Sequence, residues 1–550
     1  MSPRQLSPQH IDEGFLSQLR EDLASRRIAR GLACLQSRVS LLDSFDPNQP
    51  SAGSFLGYLA QWVDVGFASP SRLKKALARF DASLRAQLSL RDYLYLRSAD
   101  GMVDMAEESA EAAIVHFDFV ANLAAELNDA QSLAIIYFWK GRCLRKKGEY
   151  DEALTYTLRG RDLALELGNP GMAAVMRVME SWLLFQKGKS REAGNILREA
   201  QEVLQETDDY VTLGNIHSSY GRMARREGRY DKAIEHFERS IEEYKKRDPQ
   251  HPNLARSLAN MALAKRAIAL QLCKKIDRDA ARRRRAGSNG EFRRSSGRDD
   301  RQRLNQLREE ALAHLDDANA IYLHHPNHHG AGTVHLNSGY VYFDKDDFDR
   351  AEAKAAIAYK LGEEKRDYIL MGRARVLQCM IENGRVDEEI GENADAGSHA
   401  RRALEFAQEA VDLAKHTQNH RLLAGAYLWQ GLTQCNAFFD NADAARESYD
   451  LAMTCNRGNQ PDDMWDDLQV LKSKVTRRGS IDSTLKAWCQ GTTGEKTFQQ
   501  ITEEFAEFII PRVWEREGRK ISRVAARLSI SPKKVRRILT RAGRRKPEKH

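Results

Sequence analysis

A spaced pattern of residues recurs along the chain, and it constrains the fold more than any other feature. A small residue is followed seven positions later by a turn residue, two further on by an aromatic residue, and three beyond that by alanine. The first of these positions recurs every 40 residues at Gly101, Gly141, Ser181, Gly221 and Met261. A period of this length predicts stacked supersecondary units rather than one globular core.

Each position of the pattern has a physical reason, shown most clearly in residues 141–153, 221–233 and 339–351. The glycine that opens each segment carries no side chain, so a second helix can approach closely. Gly148 and Gly228 can adopt the positive φ that ends a helix. The aromatic side chain then fills the corner, and the alanine lies where the second helix packs back. The corner residues are Tyr150, Tyr230 and Phe348, and the alanines are Ala153, Ala233 and Ala351.

These helix pairs resemble the tetratricopeptide repeat. The resemblance implies an all-α solenoid, a right-handed superhelix of antiparallel helix pairs. A period of 40 exceeds the family's usual length of about 34 residues, so each helix should be longer by roughly one turn. We expect the array to run from near residue 10 to about residue 475, with its first units degenerate.

Breaks in the pattern and shifts in composition predict the boundaries of the array. The segment 277–303 is rich in arginine and nearly lacks apolar residues, so we expect a disordered insertion there. It either adds non-specific phosphate contacts or has no function. A second, acidic insertion is expected over residues 383–398. The predicted divisions are 1–92 (degenerate helical region), 93–276 and 304–475 (repeat array), 476–499 (linker) and 500–550 (C-terminal domain with a basic tail).

Positive charge is concentrated at the C-terminal end of the chain. The net charge is +8, yet residues 512–550 hold 15 Lys and Arg and only three acidic residues, and residues 278–303 hold ten Arg and four acidic residues. The remainder is therefore acidic. An acidic body with a basic end predicts that nucleic acid is contacted at that end alone.

The final 40 residues predict two short helices joined by a turn. The first is residues 521–528, and the turn is residues 529–531. Ser531 is a good N-cap and Pro532 suits the first position of the next helix. In that helix Val535, Ile538 and Leu539 form one apolar stripe, and cationic side chains cover the rest. The preceding segment, residues 505–517, reads as an amphipathic helix that is kinked or broken at Pro511.

This segment resembles the Fis-type helix-turn-helix domain at the C-terminus of many bacterial transcription regulators. The resemblance implies that the third helix enters the major groove of duplex DNA. Position by position, it implies base or phosphate contacts for Ser522, Arg523, Pro532, Lys533, Lys534, Arg536, Arg537 and Arg541. Many such regulators also carry an ATPase, but this chain lacks the P-loop motif, so that activator mechanism is not expected here.

Other functional motifs are not predicted. The seven cysteines are scattered without a Cys-x-x-Cys pair, which favours reduced core residues. The histidines around Pro326 lack a cysteine or carboxylate frame, so we expect a solvated loop rather than a metal site. No cofactor, enzymatic activity, signal peptide or membrane segment is predicted, and we expect a cytoplasmic protein. The histidines in question are His324, His325, His328, His329 and His335.

Together these features predict a DNA-binding transcription regulator. The solenoid would bind a protein, peptide or small-molecule partner in its concave surface, although a rigid spacer is the alternative. One helix-turn-helix reads one half-site, so a homodimer is expected for specific binding. A second hypothesis is a non-enzymatic scaffold for protein assembly, whose basic tail binds RNA or nothing.

Overall fold

A computed structural model describes residues 11–67, 70–286, 292–325, 328–389, 396–436, 438–456, 463–478 and 496–541. Every regular element in these ranges is an α-helix, as the sequence predicted. The chain divides into two compact units, Met1–Lys472 and Ser473–His550. We call them the repeat unit and the C-terminal unit. None of the helices described is both long and apolar enough to cross a membrane.

The repeat unit begins with short helices and continues as helix pairs. The first six are α1 (Glu13–Ala24), α2 (Ile28–Ser37), α3 (Val39–Ser44), α4 (Ala52–Asp64), α5 (Pro70–Leu77) and α6 (Ala82–Gln87). Eight pairs follow: α7 (Leu90–Ala106) with α8 (Ala110–Glu126), α9 (Ala130–Lys147) with α10 (Tyr150–Glu166), α11 (Pro170–Gln186) with α12 (Ser190–Leu204), α13 (Tyr210–Arg226) with α14 (Tyr230–Lys245), α15 (Pro252–Ala286) with α16 (Phe292–Leu323), α17 (Gly330–Phe343) with α18 (Phe348–Glu364), α19 (Tyr368–Glu389) with α20 (Ala396–Lys415), and α21 (His420–Gln434) with α22 (Ala442–Cys455). The single helix α23 (Asp463–Arg478) comes next.

The residues of the repeat pattern occupy the positions that the sequence predicted for them. Gly148 and Gly228 have φ of +84° and +74°, so they end their helices in the left-handed region. A Cβ atom on Gly221 would lie 2.5 Å from the Phe237 ring of the next helix. In seven of the eight second helices the alanine of the pattern is fully buried, because the first helix packs directly against it. These alanines are Ala113, Ala153, Ala193, Ala233, Ala311, Ala351 and Ala403.

The segment 277–303 differs from the disordered insertion that we predicted. Helix α15 continues to Ala286 and α16 begins at Phe292, so residues 277–286 and 292–303 are helical. Alanine and arginine are strong helix formers, and that propensity outweighs the shortage of apolar residues. Leu304 and Leu307 also pack against Ala269 and form a small core between the two helices. The Lys275 ammonium lies 3.0 Å from the Asp300 carboxylate.

Helices far apart in sequence also contact each other within the repeat unit. The Arg26 guanidinium forms a buried ion pair with the Asp209 carboxylate, its Nε donating to Oδ2 at 2.8 Å. The backbone N–H of Gln418 donates to the backbone carbonyl of Gly148 at 2.9 Å. An open solenoid is held only by contacts between neighbouring repeats. In this unit, additional contacts join repeats that are not neighbours.

The C-terminal unit contains three described helices: α24 (Phe498–Arg516), α25 (Ile521–Arg527) and α26 (Pro532–Arg541). Helix α24 begins earlier than expected and continues through Pro511, so of the predicted kink or break the break does not occur. Ile510, directly before Pro511, is buried in the core of this unit, and that packing favours an uninterrupted helix. The predicted linker falls largely on residues 479–495, outside the described ranges.

Candidate functional sites

The turn before α26 has the local chemistry that the sequence predicted. Gly518 ends α24 with φ of +65°, and Ser529 has φ of +50° between α25 and α26. The Lys534 amide donates to the Ser531 hydroxyl at 3.2 Å, so Ser531 caps the helix. Pro532 occupies the first helical position, where its missing N–H costs nothing. These residues fix where α26 begins and therefore which side chains it exposes.

Helix α26 has one buried face. Val535 and Leu539 are completely buried, and Ile538 is nearly so. They pack with Ile510 of α24 and Val524 of α25 in a single core. Burial of each such side chain contributes roughly 1.5–3 kcal/mol, so this stripe fixes the rotation of α26 about its axis.

The predicted DNA-contacting residues are all exposed on α25 and α26. Ser522 and Arg523 lie on α25, and the other six lie on α26. Two of the six form ion pairs with α24: Arg541 lies 3.0 Å and Arg537 lies 3.5 Å from carboxylate oxygens of Glu503. Glu503 raises the pKa of the Arg541 guanidinium through this hydrogen bond. Within the described part of the chain, Lys533, Lys534 and Arg536 form no ion pair.

A second group of positive charges lies in the repeat unit, and sequence analysis did not single it out. Arg145, Arg222 and Arg256 belong to the first helices α9, α13 and α15. We call these three residues the arginine cluster. Trp182 of the intervening first helix α11 lies beneath the Arg145 guanidinium, 5.0 Å from it to the ring centroid. The three arginines and Trp182 together therefore come from four consecutive helix pairs.

Neutral groups hold the other two guanidinium groups of the cluster. Arg222 donates to the Ser219 hydroxyl at 2.9 Å. Arg256 donates to the Asn215 side-chain oxygen at 2.6 Å, and the same oxygen accepts a hydrogen bond from the Tyr244 hydroxyl at 3.0 Å. No carboxylate forms an ion pair with the cluster among the residues that the structure describes. Neutral dipoles rather than acids therefore contact Arg222 and Arg256.

Burial and mutual repulsion both act on these guanidinium groups. Burial, followed by the positive charges of Arg256 and Arg142, lowers the pKa of Arg145 to about 10. Burial lowers the pKa of Arg222 as well, and Arg256 and Arg145 lower it further. Each effect disfavours the charged form. An arrangement of this kind is unfavourable without an anion, and perturbed charges of this kind mark candidate binding sites.

Glu108, whose charge acts on Arg145, and Asp64, which contacts the neighbouring Arg142, already have cationic partners. Glu108 lies 2.8 Å from the Lys146 ammonium and 3.3 Å from His329 Nδ1. Asp64 forms an ion pair with Arg142 and accepts a hydrogen bond from the Trp139 indole at 2.9 Å. Neither carboxylate is available to neutralise the arginine cluster.

The structure corrects our prediction of a solvated histidine loop. His328 and His329 are only partly exposed, and their rings stack with centroids 4.6 Å apart. Together with Glu108 they offer three ligand atoms within 4.8 Å of one another. Lys146 holds Glu108, and the Gly330 amide donates to His328 Nδ1 at 3.0 Å. These contacts form a network of ion pairs and hydrogen bonds between distant repeats, and we assign no metal to it.

The other three histidines vary in exposure. His324 is exposed, whereas His325 and His335 are partly buried. His325 Nε2 lies 2.8 Å from the Gln250 carbonyl oxygen, so this side chain also links distant segments. We predicted a loop because the histidines surround a proline and a glycine and have no cysteine or carboxylate ligands nearby in the sequence. These local features contain no information about packing against other repeats.

Residues 212–270 match the tetratricopeptide repeat family. No curated protein matches the chain in sequence. Among solved structures, the apo quorum sensor NprR from B. thuringiensis is similar at 14% identity with a TM-score of 0.37, over 64% of this chain and 98% of that one. Human IFIT1, solved as a dimer with m7Gppp-AAAA, is similar at 13% identity with a TM-score of 0.44, over 82% of this chain and 92% of its own. Yeast Tom70 is similar at 11% identity with a TM-score of 0.39, over 87% and 98% of the two chains.

Proposed function

We propose that the chain is a non-enzymatic transcription regulator that binds duplex DNA through a helix-turn-helix formed by α25 and α26. The observation that carries this proposal is the division of α26. Val535, Ile538 and Leu539 are buried, while every lysine and arginine of the helix is exposed. A helix that reads the major groove needs an apolar face toward its own domain and a cationic, hydrogen-bonding face toward DNA.

The residues of α26 take different parts in this proposal. Pro532, Lys533 and Lys534 lie at the start of the helix, the end that contacts base edges in helix-turn-helix proteins. Arg537 lies about one turn further along and belongs to the same base-reading face. Arg536, Arg541 and Arg523 of α25 supply positive charge toward phosphates, and Ser522 of α25 offers them its hydroxyl as a hydrogen-bond donor. In this proposal the repeat unit binds the regulator's partner: a protein, a peptide or a small molecule.

Selection of bound fragments from random duplex DNA tests the proposal. The full chain is compared with the double variant Lys533→Ala/Lys534→Ala and with Arg239→Ala, which removes a positive charge from an exposed ion pair in the repeat unit. We expect the full chain and Arg239→Ala to enrich one motif that the double variant does not. A palindromic motif with half-sites about 10 base pairs apart would identify a homodimer as the binding species.

Two outcomes contradict the proposal. Equal enrichment by the full chain and the double variant would remove α26 from sequence recognition. Absence of any enriched motif, with the α24–α26 helices folded, would leave the adaptor hypothesis, in which the basic end binds RNA or nothing. Circular dichroism of each variant shows whether the helices are intact.

A further inference from the structure

The arginine cluster has hydrogen-bond donors that the protein does not satisfy. The Nε atoms of Arg145 and Arg256 are buried and have no acceptor among the described residues. The same is true of Nε1 of Trp182, over which the Arg145 guanidinium lies. Buried donors are nearly always paired in folded proteins, so an unpaired group calls for an explanation.

The same three arginines also form no ion pair with a carboxylate among the described residues. They come from three separate helices and are half-buried, and the charge of Arg256 lowers the pKa of both Arg145 and Arg222. A folded chain gains nothing from like charges held together unless packing or a ligand requires them. Neutral serine and asparagine side chains hold Arg222 and Arg256, so the protein positions these cations without neutralising them.

We infer that the arginine cluster binds the phosphate group of a small-molecule ligand in the repeat unit. Three guanidinium groups carry more charge than one carboxylate balances, whereas a phosphate monoester carries close to two negative charges and a pyrophosphate carries more. Planar guanidinium groups donate two parallel hydrogen bonds to phosphate oxygens. In this inference, donors on three separate helices engage different oxygens of one tetrahedral group. This inference rests on the proposed function, because it specifies the partner of the repeat unit.

The surroundings of the cluster favour a small ligand over a nucleic acid. Tyr244 is buried beside Arg256, and Tyr322 is buried in the same core and donates to the Pro252 carbonyl at 3.2 Å. Nucleic-acid backbones are bound along exposed basic surfaces that extend over many residues. The arginine cluster is instead a confined group between helices, with aromatic side chains around it.

Titration calorimetry on the full chain tests the inference with three probes at one ionic strength. The probes are pyrophosphate, ATP and a hexaglutamate peptide. We expect saturable binding of pyrophosphate or ATP and a higher Tm in their presence, because a ligand that binds the folded state stabilises it. Tighter binding of ATP than of pyrophosphate would identify a nucleotide, and the reverse would identify an inorganic or non-nucleotide phosphate.

Variants locate the site. Arg222→Gln should weaken binding about tenfold, the effect of losing one hydrogen bond to a charged group. The Tm of the unliganded variant should stay the same or rise, because repulsion within the cluster is relieved. Arg145→Gln supplies a second variant in case the first does not fold. Arg239→Gln is the matched control, since it removes an exposed charge from α14, and it should bind as the parent chain does.

Three results would overturn the inference. They are no binding of either phosphate probe, binding of hexaglutamate alone, and binding that is lost with Lys534→Ala rather than with Arg222→Gln. DNA retention is measured on the same preparations, so the two proposals fail separately. Loss of DNA binding with intact phosphate binding removes only the proposed function. Loss of phosphate binding with intact DNA binding removes only this inference.

Discussion

The arginine cluster and helix α26 are two collections of positive charge in different surroundings. On α26 the lysines and arginines are exposed, and water and salt screen them. In the repeat unit Arg145, Arg222 and Arg256 are half-buried, and burial lowers the pKa of two of them. Exposed positive charge has little effect on the stability of the fold, and it can bind an extended anion such as DNA. Half-buried charge is unfavourable until a specific anion satisfies it, so composition alone does not distinguish the two.

The largest effect that we predict concerns buried charge in the repeat unit. Asp209→Ala leaves the Arg26 guanidinium buried without its partner, because their side chains are 0% and 4% exposed. We expect a loss of about 3–5 kcal/mol in the free energy of unfolding, measured in urea by circular dichroism. The surface pair Arg239–Glu235 is the control, and Glu235→Ala should cost less than about 1 kcal/mol. Similar losses of unfolding free energy in Asp209→Ala and Glu235→Ala would show that burial does not make the Arg26–Asp209 pair costlier to break than the exposed pair.

The next effect concerns recognition by α26. Lys534→Ala should weaken binding to the selected DNA motif by about 1–3 kcal/mol and relax the preference at one base position. Arg536→Ala should weaken binding to all sequences alike and reduce the slope of log affinity against log salt by about 1. Fluorescence anisotropy at several salt concentrations measures both. If Lys534→Ala weakened all duplexes equally, its contact would be to phosphate and not to a base.

The stability of the two units should depend differently on pH. Burial, followed by the charges of Arg256 and His325, lowers the pKa of His251 to about 3 in the folded protein. In the unfolded chain this pKa is about 6.5, so the unfolded chain takes up a proton that the folded one does not. The contribution of His251 to stability is complete above pH 6.5 and is lost as the pH falls below that value. It should decrease by about 1 kcal/mol between pH 6.5 and 5.5.

The C-terminal unit supplies the internal comparison for this titration. Residues 473–549 contain no histidine, so stability there should not fall over the same pH interval. Hydrogen-exchange mass spectrometry, corrected for intrinsic exchange, reports on both units in one experiment. His251→Phe keeps the aromatic stacking on Tyr244 and should reduce the pH dependence of the repeat unit. An unchanged dependence in this variant would assign the effect to other histidines.

The local fold was largely predictable from the sequence, and the arginine cluster was not. Gly148, Ala153 and Ser531 have roles set by neighbours in the chain, so spacing and residue type reveal them. The charge of Arg256 acts on Arg145 because several helix pairs stack, and no short motif records that proximity. One partial signal was present: arginine recurs directly after the glycine of the repeat, at Arg142 and Arg222, although only Arg222 belongs to the cluster and Arg142 pairs with Asp64. Positions that repeat on first helices should therefore be compared for charge as well as for size.

The pair between Arg26 and Asp209 shows a second limit on prediction. The two residues are 183 positions apart, and the pattern describes only adjacent helices. Contacts between repeats that are not neighbours have no period and leave no trace in the spacing. The same reason explains why His328 and His329 were assigned to a solvated loop although they lie against Glu108.

The smallest effect that we predict concerns the ion pairs between α24 and α26, which compete with DNA for two arginines. Glu503 of α24 pairs with Arg537 and Arg541, two of the residues proposed to contact DNA. Glu503→Gln removes this competing carboxylate while keeping the shape of the side chain. If both arginines contact phosphates, DNA affinity should rise about two- to fivefold at low salt, and the gain should diminish as salt screens the charges. The measurement is again anisotropy across a salt series.

The direction of that change distinguishes two roles for Glu503. If the carboxylate only competes with phosphate, its removal strengthens binding to all duplexes. If it instead holds Arg537 in the orientation that DNA requires, removal weakens binding and leaves helix content unchanged. The matched variant Glu504→Gln removes a carboxylate from the same turn of α24, one that pairs with Lys496 and not with α26. Equal gains in the two variants would mean that net charge, and not the pairing of Arg537 and Arg541, limits the affinity of this surface for DNA.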